Sequence, residues 1–298
     1  MENISKPSKK TLNILIIAAI VCLIAASVAV IRLQKSSVQS NLSEYPQDEL
    51  VIVNLAVGKA DAAFLSYDGS LGMIDTGTKE SYYRIKKFMD ENAQTSMDYL
   101  IITHYDKDHV GGAVSLLQEY EVEKIYLPDY VSSKSGYGDI MEAVKGRDDV
   151  VFVSSEEQIS VGDMTIQIIP PSDPAELSED DDNMDNDLSL LCRVNFRSKK
   201  FLFTGDIEKD RIKQLKNDGI DLTADWIKIP HHGGYEDNSK KLLNLVSPKY
   251  SVISTGSERP ADAELLTLLA EMGIKNFSTT KGDVVTLCDG EKIDVSVR

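Results

Sequence analysis

The sequence predicts a layered α/β domain whose sheets are covered by helices. Three observations predict it. Strand-like and helix-like segments follow one another in the order strands then helix, twice over. No low-complexity array or short-period repeat interrupts them, and clusters of acids and histidines fall where strands end. A chain of 298 residues has room for one large domain or two small ones, and its 42% hydrophobic content supports a real core.

Taken in order, residues 1–11 form a short tail carrying Lys6, Lys9 and Lys10. Residues 12–31, from Leu12 to Ile31, are an almost unbroken apolar run interrupted by Asn13 and Ser27, and about 20 such residues span a bilayer. A cleavable signal peptide is the competing reading, because Ser27-Val28-Ala29 resembles a small-residue cleavage site. The apolar core exceeds the usual signal length, so an uncleaved anchor with a cytoplasmic tail and an extracytoplasmic domain is expected. Residues 32–48, rich in Ser, Gln and Asn, read as a tether, and residues 49–298 as the folded domain.

Within that domain the alternation predicts strands over 50–57, 62–67 and 71–75, the last two joined by an Asp68-Gly69 turn. A helix over 80–92 and a buried strand over 97–103 follow, then a helix from Gly112 to Tyr120 and a strand over 124–127. A short helix over 139–145 and strands over 150–153 and 164–170 precede an acidic loop. A hairpin over 189–195 and 200–204 comes next, then a helix over 208–216 and a strand over 226–229. The pattern closes with helix 239–246, strand 250–254, helix 261–272 and terminal strands.

All four histidines lie in two short clusters, Thr103-His104-Tyr105-Asp106-Lys107-Asp108-His109 and Pro230-His231-His232-Gly233. Imidazole and carboxylate are the usual nitrogen and oxygen donors for Zn²⁺, Mn²⁺ or Fe. Placing His104, Asp106, Asp108 and His109 within six residues is costly unless a cation sits among them. The pattern therefore reads as a metal site, and with it a hydrolase. The bland alternatives are a turn capped by acids, an Asp206 that merely N-caps the next helix, and loop histidines at 231–232. Cys22, Cys192 and Cys288 have no metal-ligand spacing and read as small apolar residues.

His104-x-Asp106-x-Asp108-His109 is similar to the His-x-His-x-Asp-His motif of the metallo-β-lactamase superfamily, with Asp106 replacing the second histidine. Followed by Gly111-Gly112, this variant resembles the hydrolase domain of the ComEC-type competence proteins. The resemblance extends through Met73-Ile74-Asp75-Thr76-Gly77, Asn186-Asp187-x-Ser189-Leu190, Leu202-Phe203-Thr204-Gly205-Asp206 and Trp226 to Gly233. It implies a four-layer αββα sandwich with the metal site at one edge between two sheets. It also implies His104 and Asp106 on one ion, Asp108 and His109 on a second, Asp206 bridging both, and His231 as the last ligand with His232 the alternative. Asp108 is the expected catalytic residue, and Asp75 a structural acid that orients ligands. Two divalent ions, Zn²⁺ or Mn²⁺, are the implied cofactors, and the carboxylate-rich set shifts the expectation towards Mn²⁺. They would supply a hydroxide nucleophile at neutral pH.

The chain departs from that pattern in several places. No histidine lies between 110 and 230, so Asn186 or Asp187 stands where many members have a third-motif histidine. The relatives' Asp-Val-Gly-Gln-Gly-Asp is here Ala56-Val57-Gly58-Lys59-Ala60-Asp61, and Arg259 replaces a histidine before Pro260.

Charge narrows the substrate. The net charge is −16, while residues 1–44 carry Lys6, Lys9, Lys10, Arg32 and Lys35 against Glu2 and Glu44, leaving −19 on the rest. Eight acids with no Lys or Arg lie between Asp173 and Asp187, which reads as a solvated loop. Such a balance opposes tight binding to a polyanion. The leading expectation is a membrane-anchored phosphodiesterase or nuclease acting on nucleic acid or nucleotides. A small ester, thioester or lactone is the alternative substrate, and a metal-poor binding module the non-enzymatic reading. No protein partner is indicated.

Overall fold

The computed structural model describes residues 42–177 and 184–298, and the chain from Ser40 onward forms one compact unit. The expected membrane anchor at 12–31 lies outside the described residues. Among the described residues no helix is long and apolar enough to cross a membrane.

In chain order the strands are β1 (Leu50–Asn54), β2 (Ala62–Tyr67), β3 (Ser70–Thr76), β4 (Ser96–Ile101), β5 (Glu121–Pro128), β6 (Val150–Val153), β7 (Glu157–Val161) and β8 (Met164–Ile169). They continue as β9 (Leu191–Phe196), β10 (Lys199–Phe203), β11 (Trp226–Lys228), β12 (Tyr250–Ile253), β13 (Lys275–Ser278), β14 (Val284–Cys288) and β15 (Ile293–Val297). One sheet has the order β15-β14-β1-β2-β3-β4-β5-β6 and the other β13-β12-β11-β10-β9-β8-β7. Strands β3 to β6 run parallel in the first sheet and β10 to β13 in the second, while the remaining neighbours are antiparallel. The expected turn at Asp68-Gly69 joins β2 to β3 with both residues at positive φ, 50° and 79°, the backbone of a tight hairpin.

Side-chain alternation builds the layers. Ile52, Leu65, Ile74 and Ile101 point from the first sheet towards Ile166, Val194, Phe203 and Trp226 of the second, forming the central core. The opposite face of the first sheet, with Val53, Phe64 and Leu100, packs on Ile85, Phe88 and Met89 of the Tyr82–Glu91 helix. That helix places Tyr82, Ile85, Phe88 and Met89 on one stripe, and Phe88 stacks on Phe64 with ring centroids 4.0 Å apart. The outer face of the second sheet packs Leu202 and Ile227 on Leu215, Leu242 and Leu269 from the Lys209–Asn217, Ser239–Val246 and Ala263–Glu271 helices. The result is helix, sheet, sheet, helix. All five β1 residues are buried because both faces are covered, which is why that segment shows no polar alternation.

This topology sets the site. Parallel neighbours share a C-terminal edge, so the chain leaving β3 and β4 in one sheet, and β10 and β11 in the other, enters one region. The two sheets are tied there by the Leu190 amide donating to the Thr103 carbonyl at 2.9 Å.

Candidate metal centre

The first sheet supplies a braced platform. Asp75, near the end of β3, has φ 57°, a left-handed backbone that Asp tolerates better than most residues. Its Oδ1 accepts the Thr103 amide at 2.8 Å, and its Oδ2 accepts the Thr103 hydroxyl at 2.8 Å. The same Oδ2 lies 2.7 Å from His109 Nδ1. A carboxylate only accepts, so when His109 carries a single proton it sits on Nδ1 and leaves a bare Nε2 facing inward. Thr103 Oγ1 has already given its proton to Asp75, so it accepts from His104 Nδ1 at 3.1 Å. His104 Nε2 is therefore bare as well.

The second sheet brings the complement. Gly205 has φ 55°, and a Cβ there would stand 2.7 Å from the Ser189 side chain and 3.1 Å from Thr103 Cβ. Only glycine lets the chain pass between them. The next residue, Asp206, is 3% exposed, with Oδ2 3.1 Å from His109 Nε2 and 3.2 Å from His232 Nε2. His232 Nδ1 lies 3.1 Å from the Ser254 carbonyl, which fixes its proton there and again leaves Nε2 bare. Asp108 Oδ2 completes the group, 3.4 Å from His232 Nε2.

These separations test whether an ion fits. The Nε2 atoms of His104, His109 and His232 are buried and have no partner in hydrogen-bonding geometry. Two donors about 2.1 Å from a tetrahedral ion stand roughly 3.4 Å apart, close to the spacings seen between the Nε2 atoms and the Asp206 and Asp108 oxygens. Donor type, spacing and the bonds that orient each ring all suit a divalent cation.

Asp61 belongs to the same cluster: one donor atom each from Asp61, His109, Asp206 and His232 lie within 4.8 Å of one another. Its carboxylate approaches from the other side, 3.8 Å from His232 Nδ1 and 4.0 Å from His109 Nδ1. Those ring edges are already engaged by Ser254 and Asp75, so Asp61 sits behind the rings, not on the inward face. Lys228 Nζ, 3% exposed as a residue, pairs with Asp61 Oδ2 at 2.7 Å. Lys228, at the end of β11, thus makes a buried ion pair.

The remaining expected site residues make contacts of their own. His231 and His232 have consecutive left-handed φ values of 48° and 53°, so their side chains leave the turn in different directions. It is the backbone amide of His231, not its imidazole, that meets Asp206 Oδ1, at 3.1 Å. Its Nδ1 lies 3.2 Å from Glu208 Oε1, and with Glu236 these two residues form a second donor group within 4.8 Å. His232, and not the expected His231, is thus the histidine whose ring lies beside Asp108 and Asp206. Asn186 donates to Glu208 Oε1 at 2.8 Å, and Asp187 Oδ1 accepts the amides of Glu208 and Arg211 at 2.6 and 3.2 Å, capping the Lys209–Asn217 helix. Neither stands in for the missing third-motif histidine. The capping role considered for Asp206 thus falls to Asp187. Asp106 Oδ1 lies 3.1 Å from Lys134 Nζ.

The field at the centre is strongly negative. Burial alone would lower the His109 and His232 pKa values, but Asp206 with Asp75 at His109, and Asp206 with Asp108 at His232, outweigh it. His109 is raised well above its usual value and His232 to about 9. Burial raises Asp206, yet the two imidazoles outweigh that and hold its carboxyl well below the usual range. His104, penalised first by burial and then by His109, falls to about 4 and stays neutral. A field that holds protons on two buried imidazoles also attracts a cation that would displace them.

Residues 57–257 match the Metallo-beta-lactamase superfamily. The chain belongs to this superfamily. Among curated proteins it is similar to ComE operon protein 3 of Bacillus subtilis (strain 168), at 25% identity over 251 residues, 77% of this chain and 32% of that protein. It is also similar to Recombination protein 2 of Haemophilus influenzae, at 26% identity over 168 residues, 55% of this chain and 18% of that protein. A third relative is Competence protein ComA of Neisseria gonorrhoeae, at 22% identity over 213 residues, 71% of this chain and 28% of that protein, and the chain spans under a third of the length of each of the three. Among solved structures, CmlA beta-hydroxylase E377D mutant aligns with TM-score 0.54 at 15% identity, covering 81% of this chain and 54% of that one. Tm1679, a metal-dependent hydrolase of the beta-lactamase superfamily, aligns with TM-score 0.50 at 12% identity, covering 78% and 98%. At such identities the likeness shows the αββα fold alone.

Proposed function

We propose that this protein is a metal-dependent phosphodiesterase, acting on nucleic acid or nucleotides through the centre built by Asp108, His109, Asp206 and His232. The observation that carries the reading is the set of unpartnered, buried Nε2 atoms facing two carboxylates, in a chain whose curated relatives include one named as a recombination protein and one as a competence protein. Asp108, His109, Asp206 and His232 would hold a divalent metal there, which would supply activated water near neutral pH and offset charge on phosphoryl oxygens. The chain's own residues do the rest. Asp75 and Ser254 hold the two rings in one tautomer, and Asp206 ties the centre to the His231 turn. Asp108, less buried than Asp206, stands towards solvent and the reacting group.

The domain's acidity stands against a long polyanion, and nearby cations support a phosphate. Lys107 is exposed between Asp106 and Asp108, and Lys134 lies beside Asp106. The reading includes His104 and Asp106 as further ligands, two ions in all, and attachment to the membrane through residues 12–31 with the domain outside the cytoplasm. The test is cleavage of bis-p-nitrophenyl phosphate, DNA and RNA by the Mn²⁺- or Zn²⁺-loaded protein, with activity abolished in Asp108→Ala while the fold is retained. Metal-loaded protein that cleaves none of the three refutes the phosphodiesterase reading.

A further inference from the structure

The buried pair behind the two imidazoles has no part in the chemistry described so far. We propose that Asp61 is an anionic positioning residue for both His109 and His232, and that Lys228 is the counterion that sets how strongly it acts. The inference rests on the reading that the centre holds a divalent ion.

Asp61 is fixed by its backbone before its side chain is considered. Its amide donates to the Asp108 carbonyl at 3.0 Å, and its own carbonyl accepts the Gly77 amide at 2.6 Å. One residue thus joins the turn after Asp75 to the short Lys107–Val110 helix that carries Asp108 and His109. The carboxylate is directed between the two rings, 3.8 and 4.0 Å from their Nδ1 atoms. Asp61 Oδ1 is buried and has no hydrogen-bond partner, so nothing but the rings and Lys228 balances its charge.

Lys228 comes from β11, the strand that leads directly into His231-His232. Its Nζ is held by Asp61 Oδ2 at 2.7 Å and by the Ile229 carbonyl at 2.9 Å. The pair therefore draws the end of β11 against the first sheet's loops, across a separation of 167 residues. A negative charge beside a protonated Nδ1 increases electron density at the opposite Nε2 and favours positive charge on the inward face. Because one carboxylate faces two rings, it acts on both at once. Lys228 opposes that effect, so the two members of the pair push metal affinity in opposite directions while both support the fold.

This opposition separates positioning from plain structural support. Removing one partner of a buried pair leaves an uncompensated charge and destabilises the fold, whichever partner is removed. Stability should therefore be highest in the wild type, lowest in Asp61→Asn and Lys228→Met, and intermediate in the double variant. Metal affinity should follow a different order.

The experiment measures apparent Zn²⁺ affinity of the full chain by competition with a chelating dye, beside thermal melts of EDTA-treated protein. Lys228→Met should bind Zn²⁺ at least as tightly as wild type, the double variant more weakly, and Asp61→Asn weakest, by about tenfold or more. An affinity order that follows the stability order, or a loss under about tenfold in Asp61→Asn, overturns the proposal. If a single variant does not fold, the double variant decides: about threefold weaker binding or more supports the proposal, and a smaller change overturns it. Wild-type protein that binds no Zn²⁺ would instead remove the metal reading itself, a separate failure.

Discussion

Replacing Asp75 by alanine removes one carboxylate and strands three donors. The Thr103 amide, the Thr103 hydroxyl and His109 Nδ1–H all point at it from 2.7 to 2.8 Å, and Thr103 and His109 are 1% and 0% exposed. A buried donor left without its acceptor costs about 1–3 kcal/mol. The hydroxyl can rotate to another acceptor, so the two fixed donors set the scale. Alanine at φ 57° adds roughly 1 kcal/mol of backbone strain. The expected loss is therefore about 3–7 kcal/mol, a large part of the roughly 5–15 kcal/mol that holds a typical domain together. Urea unfolding of EDTA-treated protein, followed by the fluorescence of the single, fully buried Trp226, measures it directly. Asp75→Asn keeps an acceptor and tolerates the left-handed turn, so it should lose clearly less. A stability for Asp75→Ala within about 1 kcal/mol of wild type would refute the view that this carboxylate organises the platform.

Two further outcomes follow from the same geometry. His109 and His232 are held above the usual histidine value by their carboxylate neighbours, so at pH 7 a cation on Nε2 must displace protons, and affinity must rise with pH towards about 9. Calorimetry in buffers of different ionisation enthalpy should find about one to two protons released per ion, and none released would contradict the assignment. Gly205→Ala places a methyl 2.7 Å from Ser189 at a left-handed position, so it should destabilise by roughly 2 kcal/mol or more in the same urea assay.

Much of this architecture could be read from local pattern. Strands β2 and β6 and the Ser239–Val246 helix match their expected bounds, because Ala62–Tyr67 and the 239–246 stripe have clear periods and turn residues at each end. Strand β7 was not anticipated. Glu157–Val161 is a half-buried edge strand whose polar residues blur the alternation. The pairing of β14 with β1 is also invisible locally, since partners such as Leu50 and Cys288 meet only once both sheets have formed.

The centre divides in the same way. His109, Asp108 and Asp206 announce themselves because ligand-type residues crowd at strand ends. The choice between His231 and His232 depends on two successive left-handed residues, which no hydrophobic period records. Asp61 carries no such signal, although it matches the relatives' pattern in a segment where Ala56, Lys59 and Ala60 depart from it. What gives it meaning is Lys228, and that contact exists only in three dimensions. Asp187 looked like a substitute ligand, but a helix with exposed amide donors had the stronger claim on its carboxylate.

The most direct test asks whether the inward-facing ring atoms grip an ion. Metal content of the reconstituted full chain should reach at least about one equivalent of Zn²⁺ or Mn²⁺, collapse in His232→Ala and Asp206→Ala, and survive in His231→Ala. Less than about half an equivalent in the wild type, or equal loss in His231→Ala and His232→Ala, would contradict the centre described here.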